Sequence, residues 1–266
     1  MHMIVCVKQV PDPEAPASSF RIDSATNKMI PGQGVNLVIS PFDEQAVEAA
    51  LRIKDASGGK ISVISMGPET AKDVVKHALS MGADEGYLLC DPAFEGADSY
   101  STAYTLAEAI KKIGDFDLIF CGRVAGDWDA GQVGSGIAEL LGIPSATLAK
   151  KVEASDGEVK VERVVPDGYE VVESSTPALV TVSNELGEPR YATLKGIMAA
   201  ARKQLTNWTA NDLGLDPSSV GAAGRRCKLV KLFIPVRESV CQMIEGESIE
   251  EAAQKLALKL REDKII

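Results

Sequence analysis

One pattern constrains this 266-residue chain more than any other: short, almost purely apolar runs alternate with longer amphipathic stretches, punctuated by glycine and proline. Met3 to Val10 reads as a buried strand, broken by Pro11-Asp12-Pro13. Ile61 to Met66, Gly86 to Cys90 and Asp117 to Cys121 read the same way. Helical stretches run from Ser40 to Gly58, from Gly67 through Met81, from Asp98 to Ile113 and from Ala130 to Leu141. The first opens with Ser40 as N-cap, Pro41 at the first position and Asp43 and Glu44 in the first turn, and Gly58-Gly59 ends it. Strands of about six residues alternating with helices of about 12 to 16 imply βαβ units, hence a doubly wound parallel α/β sheet with helices on both faces.

The second half differs. Val159 to Val165 and Tyr169 to Glu173, separated by Pro166-Asp167-Gly168, predict an added antiparallel hairpin, and Ala178 to Ser183 a further strand after Thr176-Pro177. Segment 18–36 predicts a loose hairpin from Phe20-Arg21-Ile22 and Lys28-Met29-Ile30. From Thr206 the chain turns irregular, then offers a strand-like run, Lys228 to Val236, and a helix, Ser248 to Glu262, with Ile249, Ala252, Ala253, Leu256, Ala257 and Leu260 on one face. The expected organisation is an α/β unit over 1–205 and an extended C-terminal arm with a helix over 206–266, because a segment of about 60 residues buries little by itself.

Composition narrows the function. With 28 basic and 38 acidic residues the net charge is −10. Nucleic acid as a polymer is therefore not the expected partner, since phosphate backbones demand clustered Lys and Arg. Only two histidines are present, His2 and His77, so neither a metal centre nor a histidine relay is expected. Five cysteines (Cys6, Cys90, Cys121, Cys227, Cys241) form no C-x-x-C pair, which predicts reduced thiols and a cytoplasmic setting. No leader peptide and no run of about 18 apolar residues is visible, so no membrane insertion is expected.

In doubly wound sheets ligands sit beyond the carboxyl ends of the strands. Four such loops stand out: Cys6 to Pro11, Ser40 to Asp43, Ser65 to Pro68, and Gly122 to Gly134. The last, Gly122-Arg123-Val124-Ala125-Gly126-Asp127-Trp128-Asp129-Ala130-Gly131-Gln132-Val133-Gly134, is the richest. Its glycines let backbone approach a phosphate, the following helix favours negative charge at its start, and Arg123 suits a pyrophosphate. An ordinary βα connection with an aspartate cap fits the same spacing. Neither G-x-G-x-x-G nor a P-loop occurs, Asp127 and Asp129 read as caps rather than a catalytic pair, and no nucleophile has an evident base. A nucleotide pocket without acid–base machinery points to a binder or carrier.

Several blocks carry a resemblance. Cys6-Val7-Lys8-Gln9-Val10, Ser40 to Glu48, and Ala78-Leu79-Ser80-Met81-Gly82-Ala83-Asp84 form three of them. More specific are Arg163, Asp167-Gly168, Glu170, Val172, Pro177, Leu179-Val180 and Thr181, then Asn184-Glu185-Leu186-Gly187-Glu188-Pro189-Arg190-Tyr191-Ala192-Thr193-Leu194. Over nearly its whole length the chain resembles the β subunit of electron transfer flavoproteins. Pro166 departs from an acidic residue and Ser40 from the usual asparagine.

The resemblance implies a Rossmann-like subunit paired with an α subunit and serving an acyl-CoA or other dehydrogenase, with no catalysis expected of the chain alone. It implies a pocket made of Cys6, Ser40, Pro41, Phe42, Asp43, Met66, Gly122, Arg123, Val124, Ala125, Gly126, Asp127, Asp129, Gly131, Gln132, Val133 and Gly134. In the family that pocket holds structural AMP or an FAD that takes electrons from NADH and bifurcates them, one to the α-subunit FAD and one to ferredoxin or flavodoxin. Gly131-Gln132-Val133-Gly134 resembles the FAD-binding group, where AMP binders tend toward Asn-Gln-Thr-Gly, so FAD is expected and AMP is the alternative. Glu188, Pro189, Arg190, Tyr191 and Leu194 resemble the partner recognition loop, Leu194 being its apolar anchor.

Overall fold

The computed structural model describes residues 1–155, 157–235 and 241–266. The chain opens with β1 (His2–Cys6), β2 (Gln9–Pro11), the hairpin β3 (Phe20–Asp23) and β4 (Lys28–Pro31), and β5 (Leu37–Ile39). Then α1 (Pro41–Ser57), β6 (Lys60–Met66), α2 (Lys72–Met81), β7 (Glu85–Leu89), α3 (Ser99–Ile113), β8 (Leu118–Gly122) and α4 (Val133–Leu141) alternate. Next come β9 (Ser145–Ser155), β10 (Glu158–Val165), β11 (Gly168–Ser175), β12 (Ala178–Val182), α5 (Leu194–Arg202), β13 (Thr206–Trp208), α6 (Gly221–Gly224) and α7 (Ile249–Glu262).

One nine-stranded sheet runs β11-β10-β9-β12-β8-β1-β6-β7-β13. Its pairs from β9 to β13 are parallel, while β10 pairs antiparallel with β9 and β11. Strand alternation splits the core between the two faces: Met3 and Val5 pack among α1 and α2 residues such as Val47, Ala50 and Leu79. Ile4 and Cys6 join Leu106, Ile110 and Ile137 of α3 and α4. Each such buried aliphatic side chain contributes roughly 1.5–3 kcal/mol. From β1 the chain builds outward through β6 and β7, then crosses back to place β8 on the other side of β1. The crevice between the carboxyl ends of β1 and β8 is thus the topological switch point, where ligands bind in such sheets.

Four local readings change. The first predicted strand is two: it leaves the sheet after Cys6, and Gln9–Pro11 pairs antiparallel with β5 instead. Ser145–Ser155 is a strand that the sequence hid, because Lys151, Glu153 and Ser155 alternate with small or apolar residues and Leu148 has a left-handed φ of 61°. α4 begins at Val133 rather than Ala130, since Asp129 (φ 51°) and Gly131 (φ 64°) are left-handed and cannot be helical. Lys228 to Pro235 forms no strand, its Val230, Phe233 and Ile234 being exposed, and Val236 lies outside the described residues.

The arm also starts later than expected. Thr206–Trp208 hydrogen-bonds to β7 as the sheet edge, and Trp208, Ala210, Leu215 and Val220 pack in the α3 layer. The extended part begins near Arg225, stapled by the Asp98 carboxylate, which accepts from the amides of Arg226 and Cys227 at 2.7 Å each. No residue of α7 is buried. No described helix is long and apolar enough to cross a membrane.

Candidate functional site: a crevice at the switch point

The start of α1 is threaded beneath the ends of β1 and β8. Asp43, one turn into the helix, is only 7% exposed. Its Oδ2 accepts from the Lys8 amide at 2.9 Å and its Oδ1 from the Gly122 amide at 3.0 Å. Burial, opposed by those two amides, pushes its pKa up to about 7. Gly122 has to be glycine: a Cβ there would lie 2.5 Å from Asp43 Oδ1 and 2.7 Å from the Phe42 Cβ.

Ser40 is the N-cap by position, yet its hydroxyl makes no cap bond. It is fully buried and accepts from the Gly126 amide at 3.4 Å. Across the crevice Lys8 Nζ donates to both Asp127 oxygens at 2.7 and 2.8 Å. Lys8 was outside the expected site residues; its one sequence signal is a cation directly after a buried strand. The loop after β8 is therefore held at Gly122, Gly126 and Asp127, each by a residue from β1's exit or α1's entry.

The expected aspartate cap is not formed. Asp127 serves Lys8, Asp129 sits in a left-handed turn, and the N-cap of α4 is Gln132, with no side-chain cap bond. Among the described residues no side chain thus accepts from the first-turn amides of α4, which suits an anion. Gly131 and Val124 are neighbours, a Cβ on Gly131 falling 3.3 Å from Val124 Cγ1. The Ala125 carbonyl accepts from the amides of Trp128 and Asp129 to form the turn. Gly134 lets α4 lie on β12, since a Cβ there would come within 2.8 Å of Thr181 Cγ2.

Arg123 supplies the positive charge. Its guanidinium lies 4.9 Å from the Phe42 ring centroid, a cation–π contact. Its Nε is buried and without a hydrogen-bond partner among the described residues, a situation that costs about 1–3 kcal/mol until an acceptor arrives. On the floor, Cys6 and Cys121 are buried free thiols on neighbouring strands. Their mutual hydrogen bond, together with burial, pushes the Cys121 thiol well above its ordinary value. Met66 ends the adjacent strand β6, and Pro41 stands at the first position of α1. An unpartnered arginine N–H and an uncapped helix start form a donor set that fits a nucleotide phosphate or pyrophosphate.

A second feature lies beyond β12. Arg190 of the predicted recognition loop is tied down: Nε reaches Glu48 at 2.8 Å and Nη2 reaches Asp55 at 2.8 Å. Glu188 and Pro189 precede this anchor. Tyr191 is 96% and Leu194 75% exposed, with Ile197 and Met198 also exposed along α5. Leu194 opens α5 but does not pack inward. The helix turns its other side to α2, burying Ala200 and placing Gly196 where any side chain would strike the Ser80 carbonyl.

Comparison with known proteins agrees with this geometry. The electron transfer flavoprotein domain family matches residues 29–213. The chain is 44% identical, over the full length of both, to the electron transfer flavoprotein subunit beta of Thermoanaerobacterium thermosaccharolyticum. It is 41% identical, again over both full lengths, to the caffeyl-CoA reductase-Etf complex subunit CarD of Acetobacterium woodii. To the acryloyl-CoA reductase electron transfer subunit gamma of Anaerotignum propionicum it is 35% identical over 97% of this chain and 99% of that one. A doubly wound sheet, a glycine-lined crevice at its switch point and these full-length likenesses converge: the chain belongs to the electron transfer flavoproteins, as a β subunit.

Proposed function

We propose that the crevice between β1 and β8 holds an FAD and that the chain, joined to an α subunit, takes electrons from NADH and delivers them by two routes. One route leads to the α-subunit FAD and a dehydrogenase, the other to a low-potential acceptor such as ferredoxin or flavodoxin. The observation that carries the reading is the donor set around Arg123: an unpartnered buried N–H and the uncapped start of α4. Glycine at 131 and valine at 133 withhold the polar side chains a small monophosphate would use and leave room for a larger ligand. Two relatives carry reductases in their names, a caffeyl-CoA reductase-Etf complex and an acryloyl-CoA reductase.

When bound, the flavin would supply the redox chemistry. The protein's part would be to hold and orient it: Arg123 and the first turn of α4 would hold the phosphates, while Lys8–Asp127 and Ser40–Gly126 fix the loop that carries Arg123. Exposed apolar side chains on the arm, among them Phe233, Ile234, Met243, Ile249 and Leu258, would be covered by the α subunit. Leu194 and Tyr191 would meet the dehydrogenase.

Anaerobic NADH titration of the purified heterodimer tests the reading. Bleaching of flavin absorbance by NADH is expected. An NADH-inert heterodimer would leave a structural nucleotide as the crevice's occupant.

A further inference from the structure

Asp43 does more than line the crevice. Its carboxylate stands between the two strand ends that define the switch point, accepting the amide of Lys8, two residues beyond β1, and the amide of Gly122, the last of β8. The missing Cβ of Gly122 leaves the space in which that carboxylate and Phe42 sit. Lys8 and Gly122 are also where the two sides of the nucleotide loop begin: Lys8 reaches over to Asp127, and Gly122 leads directly into Arg123.

We propose that Asp43 is a positioning residue, a carboxylate tie that fixes the width of the crevice by holding the ends of β1 and β8 at once, so that nucleotide is held firmly only while the tie is ionised. The proposal rests on the reading of the crevice as a nucleotide site. Both amides can be fully satisfied only by an ionised carboxylate, because a protonated one presents a hydroxyl that competes with an N–H donor. Burial pushes this group up to about 7, which puts the tie's protonation inside the neutral range. The charged and titratable groups facing it come from three elements. They are Lys8 after β1, which favours ionisation, Asp127 from the loop after β8, which opposes it, and the Cys121 thiol of β8, hydrogen-bonded with Cys6.

The test uses the heterodimer stripped of nucleotide. The amide proton shifts of Lys8 and Gly122 are followed by NMR across about pH 5.5 to 8.5, and FAD and AMP are then titrated into wild type and Asp43→Asn at the alkaline end. Both amides are expected to titrate together with a midpoint near 7. Asp43→Asn, whose amide nitrogen opposes one backbone N–H, is expected to bind nucleotide roughly tenfold or more weakly. Flat amide shifts, or Asp43→Asn binding as tightly as a competent wild type, would overturn the tie alone. Wild type that takes up neither nucleotide would overturn the crevice reading together with it. The wild-type shifts require no variant to fold.

Discussion

Arg190 and Glu48 are joined by three hydrogen bonds, two from the guanidinium and one from the Arg190 backbone amide. Burial alone would raise the Glu48 carboxyl, but Arg190 and Arg52 outweigh it and hold the group below its ordinary value. The loop that presents Tyr191 and Leu194 is therefore moored to α1, the same helix whose first turn builds the crevice at the switch point.

Arg190→Ala should destabilise the chain by about 1–2 kcal/mol, less than a fully buried pair because Arg190 is partly exposed and Arg52 remains. With the Glu48 pKa depressed, its contribution is present above the ordinary glutamate range and is lost as pH falls below it. Urea unfolding at neutral and acid pH checks both: the difference between wild type and variant should shrink in acid.

Leu194→Ala should leave unfolding unchanged within about 0.5 kcal/mol, since the side chain is exposed. Electron delivery to the partner dehydrogenase should fall by roughly tenfold or more, as expected for an apolar anchor at an interface. Stopped-flow transfer rates against partner concentration measure it, and an unchanged rate would remove Leu194 from the interface.

Gly122→Ala inserts a methyl group against Asp43 Oδ1 and Phe42. Overpacking of this kind costs about 1–3 kcal/mol, and here it also pries β8 from α1. Thermal unfolding should show the loss, accompanied by faster nucleotide release; a wild-type melting curve would contradict the packing described.

The Asp43 carboxyl makes stability depend on pH with a definite sign. Its folded value of about 7 exceeds the ordinary 3.8, so between those values the folded chain holds more protons than the unfolded one. Its contribution is full below about pH 4 and declines as pH rises towards 7, by on the order of a few kcal/mol, then stays level. The difference in urea stability between wild type and Asp43→Asn, measured from pH 5 to about 8, should follow that curve.

Much of this was legible beforehand, and the parts that were not share a cause. Long apolar runs such as Ile61 to Met66 and capped helices such as Ser99–Ile113 carry their own signal, so the parallel core could be read from spacing, whereas the switch point needed the strand order. β9 was hidden because half of it lies at the sheet's exposed end, where charge alternates with small residues. The Asp127 contact was hidden because an i, i+2 aspartate pair before a helix looks like a cap, whereas its partner Lys8 is 119 residues away. Arg190 was read as part of the partner surface, but nothing local to it reveals Glu48 and Asp55 on α1 as its anchors. The glycine loop stood out by its place after a strand and the recognition segment through likeness, and the structure adds the bonds that each makes.

The most direct measurement is the nucleotide content of the purified heterodimer, released by denaturation and separated chromatographically. The reading of Arg123 and the uncapped start of α4 as a dinucleotide cradle predicts two FAD per heterodimer and no AMP. One FAD with one AMP would contradict it.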